Sequence, residues 1–301
     1  MSEGGKLIAV VGPTATGKSA LALELAEHLD GEIISADAMQ LYRGMDIGTA
    51  KVPPELRRDI VHHQIDVLDP REEAAVAAYQ ERARADIEAA WARGKAAILA
   101  GGSGLYVRAV LDVIDFPGTD PEVRAAWDAR AEARGTQAVF AELEARDPEA
   151  ARRIDPGNRR RIVRALEVIE LTGRPFSASL PSYEAWRPTL HIGLDLADSV
   201  VDQVIGRRVN AMMREGLLAE VEVLDGNGLR EGRTASRAIG YAQGLAVLDG
   251  TMTEDEMAES MALATRQLAR RQRKWFRRDP RISWFDAHEP ELVARVMGLV
   301  G

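Results

Sequence analysis

Apolar and polar positions along the chain fall into two rhythms. Short unbroken apolar runs, rich in β-branched residues and closed by glycine or polar turns, alternate with longer stretches of helical spacing. Lys6 to Val11 (KLIAVV) reads as a buried first strand, and Ser19 to Leu29 as the helix that follows it. Gly31 to Ser35 (GEIIS) reads as a second strand, delivering Asp37 at its carboxyl end. Residues 74–93 form a long Ala/Glu/Arg helical pattern, and Ala96 to Ala100 (AAILA) a third buried strand, closed by Gly101-Gly102-Ser103-Gly104. This alternation predicts a parallel sheet that binds its ligands beyond the carboxyl ends of the strands.

The rhythm changes between residues 117 and 188. Only helical stretches appear there, punctuated by Pro121, Gly135, Pro148, Pro156-Gly157 and Gly173. The α/β pattern returns with Leu190 to Leu194 (LHIGL) and a helix over residues 200–224. Thr253 to Arg278 is mostly one long helix opened by a Thr253-x-x-Glu256 capping box, and Ile282 to Phe285 is a last strand. The expected fold class is α/β. A P-loop-type parallel sheet flanked by helices occupies residues 1–116 and 189–301, and a mostly α-helical insertion occupies residues 117–188.

Composition narrows the classes. With 301 residues, 46% hydrophobic and 29% charged, the chain can bury a sizeable core. The absence of cysteine excludes disulfides, zinc ribbons, iron–sulfur clusters and thiol catalysis, and it fits a reducing compartment. No run of about 18 apolar residues is present to span a bilayer. The opening MSEGGKLIAVVGPT lacks the basic region of a secretory signal. A cytoplasmic, monomeric protein without a membrane partner is expected.

The net charge of −8 argues against a nucleic-acid partner, but its distribution reverses the argument. Arg152 to Arg164 holds six arginines against Asp155 alone, and Arg266 to Arg278 holds seven basic residues and no acid. Two basic segments on an acidic body suit a protein that grips phosphates at chosen places. Two solvated helix faces would read the same way.

Gly12-Pro13-Thr14-Ala15-Thr16-Gly17-Lys18-Ser19 satisfies G-x-x-x-x-G-K-[ST] between a strand and a helix. Glycines let backbone N–H groups converge on phosphate oxygens, and the helix N-terminus adds partial positive charge. Lys18 is placed to reach the terminal phosphates and Ser19 to give Mg²⁺ a hydroxyl ligand. A departing diphosphate satisfies these donors as well as a nucleoside triphosphate does. A kinase, a transferase that uses the loop to hold a diphosphate, and a nucleotide-driven switch therefore all remain open.

Asp37, leaving the second strand beside this loop, reads as a general base or a hydroxyl-holding group, or as a turn residue at a strand end. Ser103 sits in the glycine-rich turn after the third strand. GGSGL is not a nucleophile elbow, because Leu105 takes the place of the final glycine. Among the histidines only His62 and His63 are close in sequence, and packing explains that pair better than metal ligation.

These segments, with others in order, carry a resemblance. GPTATGKS, SADAMQLYRGMDIGTAK (35–51), HHQIDVLDP (62–70) and LAGGSGLYVRAVL (99–111) are followed by RRRIVRALEV (159–168), SRAIGYAQ (236–243) and TRQLARRQRKWF (265–276). Together they closely resemble the bacterial tRNA dimethylallyltransferases, from about Lys6 to Asp286. The resemblance implies that the loop holds the diphosphate of dimethylallyl diphosphate, with Mg²⁺ near Ser19. It implies that Asp37 accepts the proton of the attacking adenine amine, and that Ser103 helps stabilise the departing diphosphate. Asp37, Ala38, Met39 and Gln40, with Ser103, would line the seat of the flipped base, Gln40 reading it through one donor and one acceptor. Arg160, Arg161, Ile162, Val163 and Arg164 match the stretch that grips the anticodon stem-loop, with Arg124 as a further contact. Arg237 and the Arg266 to Arg278 helix are more distant candidates for RNA contact or for closing the crevice.

The match departs from the family at two positions. Ser103 stands where Thr is frequent, which keeps the hydroxyl. Val204 stands where the first of two arginines is usual, so the diphosphate clamp passes to Arg208, with Arg207 as the alternative register. An adenylate isopentenyltransferase is the nearest competing reading, but a free nucleotide acceptor does not require the two basic segments.

Overall fold

The computed structural model describes residues 5–179 and 183–300. The elements run β1 (Leu7–Val11), α1 (Lys18–His28), β2 (Gly31–Ser35), β3 (His62–His63), α2 (Val76–Ala92), β4 (Ala96–Gly101) and α3 (Gly104–Leu111). Four helices follow: α4 (Pro121–Arg134), α5 (Thr136–Arg146), α6 (Pro148–Arg153) and α7 (Arg159–Thr172). The chain finishes with β5 (Leu190–Asp195), α8 (Asp198–Arg214), α9 (Leu217–Gly226), α10 (Tyr241–Leu248), α11 (Glu254–Phe276), β6 (Ser283–Asp286) and α12 (Leu292–Val300). It divides into two compact units, Met1–Leu111 with Ala185–Gly301, and Asp112–Glu184. The insertion expected at 117–188 overlaps the second unit.

The first unit is a six-stranded, wholly parallel sheet in the order β3-β2-β4-β1-β5-β6. β1 is buried along its whole length, which is why its run is apolar rather than alternating. Leu21, Leu25 and Val296, from α1 and α12, cover one sheet face together with Ile8, Val10, Ile98 and Ile192. Tyr79, Val110, Ile205, Val221 and Met261, from α2, α3, α8, α9 and α11, cover the other. The strand order sets the carboxyl ends of β2, β4 and β1 side by side. It thereby gathers the segments that carry Asp37, Ser103 and the phosphate loop. No helix among the described residues is long and apolar enough to cross a membrane.

One strand lies outside the sequence expectations, and one expectation needs correction. The pair His62–His63 is a short edge strand, parallel to β2, that the sequence pattern did not reveal. It is held by the Ile33 N–H on the Val61 carbonyl (2.9 Å) and by His63 Nε2 on Glu32 Oε2 (2.6 Å). Glu32 is nearly buried and also takes a bidentate bond from Arg93, so His63 serves an ion-pair network. The helix expected over 200–224 is two helices, because the chain turns at Glu215 and Gly216, and Gly216 takes φ 97°. The capping box at Thr253 is formed reciprocally with Glu256.

The regular elements of the second unit are helices, built around Trp127, Leu143, Ile162 and Leu166. Glu167 is fully buried within it. Its carboxylate accepts from Arg124 (2.9 Å), from Arg164 (2.9 Å) and from the Asp120 N–H (3.0 Å). Burial pushes its pKa up, but the Arg164, Arg124 and Asp120 bonds together outweigh that and hold it below the ordinary value of 4.5. The stability this carboxylate supplies is therefore present above pH 4.5 and is lost as pH falls through the lower folded pKa. Replacing Glu167 by Ala should cost about 2 kcal/mol at neutral pH in urea unfolding of the full chain. The difference from wild type should shrink in acid, and a difference independent of pH would contradict the assigned pairing.

Candidate active site

The phosphate loop leaves β1 at Gly12, where a Cβ would come within 2.3 Å of the Leu194 carbonyl oxygen of the adjacent β5. Gly12, Ala15 and Gly17 all take positive φ, the alternation of backbone hands that turns N–H groups inward around an anion. Thr16 Oγ1 donates to the Pro13 carbonyl at 2.8 Å and fixes the curl. Lys18 Nζ bends back onto the same carbonyl at 2.6 Å. Burial lowers the Lys18 pKa to about 8, opposed by the negative charge of Asp37 and aided by the positive charge of Arg208. Ser19 is exposed on the first turn of α1.

Asp37 follows β2, and its Oδ1 accepts the Met39 N–H at 2.9 Å. Burial raises its pKa, while the bond from Met39 and the charge of Lys18 restrain the rise. Ser103 accepts the Ala38 N–H on Oγ at 3.2 Å and donates its own N–H to the Ala36 carbonyl, so the β4 turn is stitched to the segment bearing Asp37. Arg208 Nη1 donates to Thr14 Oγ1 at 3.3 Å, and burial lowers its pKa, whereas Arg207 is exposed. The geometry thus brings Arg208, not its neighbour, to the loop. Val204 packs on the sheet-facing core.

Thr14, Asp37, Met39 and Arg208 line one cavity of about 140 Å³. Its other walls are mostly apolar (among them Ile205, Val209, Met212, Met261 and Leu268), with Thr265 and the Gly48–Ala50 segment as the rest. A charged, phosphate-ready end and a greasy end therefore meet in one space. Among the described residues no group of three or more Asp, Glu or His side chains stands close enough to hold a metal. A Mg²⁺ ion here would take the Ser19 hydroxyl and draw its other oxygens from diphosphate and water, a set Mg²⁺ commonly accepts.

Gln40 is already engaged. Its Oε1 accepts from Ser35 Oγ (2.9 Å), and its Nε2 donates to the carbonyls of Thr49 (3.2 Å) and Ala50 (3.5 Å). Reading a base through a donor and an acceptor together requires giving up the longer bond.

The basic segments are partly neutralised within their own units. Arg153 pairs with Glu149, Arg159 with Asp128, and Arg124 and Arg164 with Glu167. The side chains of Ile162 and Val163 are buried in the helical core, so they are withdrawn from any RNA-facing surface. Arg152, Arg160 and Arg161 are exposed without an ion-pair partner among the described residues. On α11, Arg266 and Arg270 face Asp202, Arg273 grips Asp195 and Asp198, and Arg277 reaches Asp195 at 2.9 Å. That helix is thus largely an internal strap across α8, with Arg271 and Lys274 left exposed. Arg237 is exposed on a short turn before α10.

One contact had no counterpart in the sequence reading. Gln272 of α11 accepts the Thr14 N–H on Oε1 at 2.8 Å and lies against Gly102, where a Cβ would come within 2.4 Å of its amide nitrogen. Its only sequence signal is a neutral amide set among arginines.

Residues 40–279 match the family model described as IPP transferase. The tRNA dimethylallyltransferase of Pseudarthrobacter chlorophenolicus is 55% identical over 97% of this chain and 97% of its own length. The solved tRNA isopentenylpyrophosphate transferase of Bacillus halodurans is 39% identical, with a TM-score of 0.71 over 98% of this chain and 94% of that one. A eukaryotic dimethylallyltransferase solved acting on tRNA is 26% identical, with a TM-score of 0.86 over 97% of this chain and 78% of that one. With a phosphate loop, an acid and an apolar pocket in one crevice, and with these likenesses over nearly its full length, the chain belongs to the IPP transferase family of tRNA-modifying prenyltransferases.

Proposed function

We propose that the chain transfers a dimethylallyl group from dimethylallyl diphosphate to the exocyclic amine of the adenosine immediately 3′ of the anticodon in tRNA, releasing diphosphate in the cytoplasm. The observation that carries this reading is the shared cavity of Thr14, Asp37 and Arg208 with its apolar walls. Phosphoryl transfer does not by itself call for a hydrocarbon pocket beside the phosphate loop, whereas a five-carbon tail requires one.

The diphosphate sits in the loop at the α1 N-terminus, where Lys18 exchanges the Pro13 carbonyl for phosphate oxygen and Arg208 closes over Thr14. Mg²⁺ held in part by Ser19 supplies further neutralisation of the leaving group. The adenine amine is a weak nucleophile, since its lone pair is delocalised into the ring. As that lone pair forms the bond to the allylic carbon, the carbon–oxygen bond to diphosphate breaks, and the nitrogen's proton passes to the Asp37 carboxylate. Burial makes Asp37 a stronger base than an exposed aspartate, which favours this transfer. The Ser103 hydroxyl fixes the backbone at Ala38 and retains its own hydrogen for donation to the diphosphate. Ala38, Met39 and Gln40 border the acceptor's seat, and the exposed Arg160 and Arg161 of the helical unit bind backbone phosphates of the anticodon stem-loop, as does Arg237.

The direct experiment offers labelled dimethylallyl diphosphate, with Mg²⁺, to unmodified tRNA and separately to AMP. Label should enter tRNA alone and vanish when the adenosine beside the anticodon is replaced. Label in AMP alone would identify an adenylate isopentenyltransferase, and ATP consumption with no prenyl transfer a kinase.

Two further outcomes follow from the charges. Asp37→Asn should lower the single-turnover rate by about 10²- to 10⁴-fold while donor affinity holds. In the wild type, kcat/KM should fall on the acid side at a pH above the ordinary aspartate pKa of 3.8, as Asp37 gains its proton. It should also fall on the alkaline side near pH 8, as Lys18 loses its proton in the free enzyme. An alkaline limb that stays in place in Lys18→Arg would remove Lys18 from that role. Replacing Arg160 and Arg161 together by Ala should flatten the dependence of log K on log salt for tRNA by about 1.5. Retention of the full slope would mean that both arginines are solvated surface.

A further inference from the structure

The segment Asp46 to Ala50 forms a cavity wall opposite the phosphate loop through Gly48, Thr49 and Ala50. It also anchors Gln40, whose amide donates to the Thr49 and Ala50 carbonyls. A glycine-containing loop of this kind has no regular structure to hold it. Turn bonds shape it (Ala50 N–H on the Ile47 carbonyl at 3.0 Å, Lys51 N–H on the Asp46 carbonyl at 3.1 Å, Thr49 Oγ1 on the Met45 carbonyl at 2.6 Å), and one carboxylate from another element anchors its exposed amides. Glu220 of α9 accepts the N–H of Asp46 (3.1 Å) and of Ile47 (2.8 Å) on Oε2, and that of Gly48 (3.4 Å) on Oε1. Three successive backbone N–H groups thus converge on one anion, the arrangement that otherwise binds phosphate. Tyr241, at the start of α10, completes the shell by donating its hydroxyl to Glu220 Oε1 at 2.6 Å.

The seat is built closely. Tyr241 is fully buried, and its ring presses on Gly48 so that a Cβ there would come within 2.6 Å. Burial raises the phenol's pKa far above its usual range, and the neighbouring Glu220 charge adds to this, so Tyr241 remains a donor at every working pH. From the other side Lys51, nearly buried, ties the Tyr42 carbonyl (2.6 Å) to Asp46 (2.6 Å) and Asp66 (2.5 Å).

We propose that Glu220, seated by Tyr241, is the positioning residue of the acceptor side: it fixes the Asp46–Ala50 loop, and through it Gln40 and the cavity wall facing Asp37, in the geometry that prenyl transfer requires. It touches no reacting atom. This role rests on the function proposed above, so its test must be able to fail separately from that function.

The experiment has two arms, run on the full chain well below the unfolding midpoint of each variant. In the first, hydrogen exchange of the Asp46, Ile47 and Gly48 amides is compared in wild type, Glu220→Ala, Glu220→Gln and Tyr241→Phe, with no substrate present. Exchange at these amides should quicken by about 10-fold or more in Glu220→Ala and by about 5-fold in Tyr241→Phe, which removes one hydrogen bond. Amides of the central strands should hold. In the second arm, single-turnover transfer at saturating substrate should fall by about 30-fold per folded molecule in Glu220→Ala, with the Kd for dimethylallyl diphosphate within about threefold of wild type. Glu220→Gln, which retains one acceptor oxygen, should recover part of both losses. Tyr241→Phe keeps the test decisive if the Glu220 variants do not fold.

Unchanged exchange overturns the clamp. Faster exchange with an undiminished transfer rate overturns its positioning role, as does a loss shared equally by donor affinity and rate. A wild type that transfers no prenyl group would sink the functional reading, and the exchange arm would still decide whether Glu220 holds the loop.

Discussion

Burial opposes the charge of Lys18 and the charge of Asp37 alike, and each charge supports the other. Desolvation brings the lysine down to about 8 and moves the aspartate up, while the attraction between them works in the opposite sense on each. The surrounding architecture serves to keep this pair together. The parallel sheet lays the ends of β1 and β2 on either side of β4. The Ser103 turn fills the gap between them and is tied to Ala36 and Ala38. Arg208 completes the group as a second cation, bonded to Thr14 and lowering the lysine's pKa. Such a cluster carries more positive charge than Asp37 alone can balance.

Charge elsewhere in the molecule is spent mostly on holding it together. The basic run of α11 reads in the sequence as a surface for a polyanion, but Asp195, Asp198 and Asp202 meet most of it from β5 and α8. Arg124 and Arg164, likewise, are committed to Glu167. The exposed remainder (Arg152, Arg160 and Arg161 in one unit, Arg237, Arg271 and Lys274 in the other) is smaller than the sequence runs suggest. Separating paired from unpaired arginines turns a diffuse impression of basicity into a short set of contacts.

Much of the sheet was legible because buried parallel strands announce themselves as apolar runs, and the phosphate loop because its spacing follows from backbone geometry. What escaped depended on tertiary contacts. His62–His63 is too short and too polar to resemble a strand, and it exists because Glu32 and the Val61 carbonyl lie beside it. The turn at Gly216 sits inside a continuous helical pattern, where a lone glycine is an ambiguous mark. Gln272 and Glu220 look like ordinary polar positions on amphipathic helices, and nothing local reveals that one faces the Thr14 amide and the other a row of three. Ile162 and Val163 stand with the arginines of their motif in the sequence, and their helix face turns both side chains into the core.

The sheet order also bears on how the molecule comes into being. β1, which carries the phosphate loop, leaves the ribosome before either of its partners, β4 and β5: Leu7 pairs with Ala97, and Ile8 with Leu190. Until β5 has been made, one edge of β1 presents unpaired amides along a wholly apolar strand, an invitation to mispairing. The Thr14 amide waits longer still, for Gln272. The surroundings of the phosphate loop are therefore completed only by segments far along the chain, and such non-local closure slows folding. A nascent chain of this protein is most exposed to aggregation at the very strand on which its chemistry will be built.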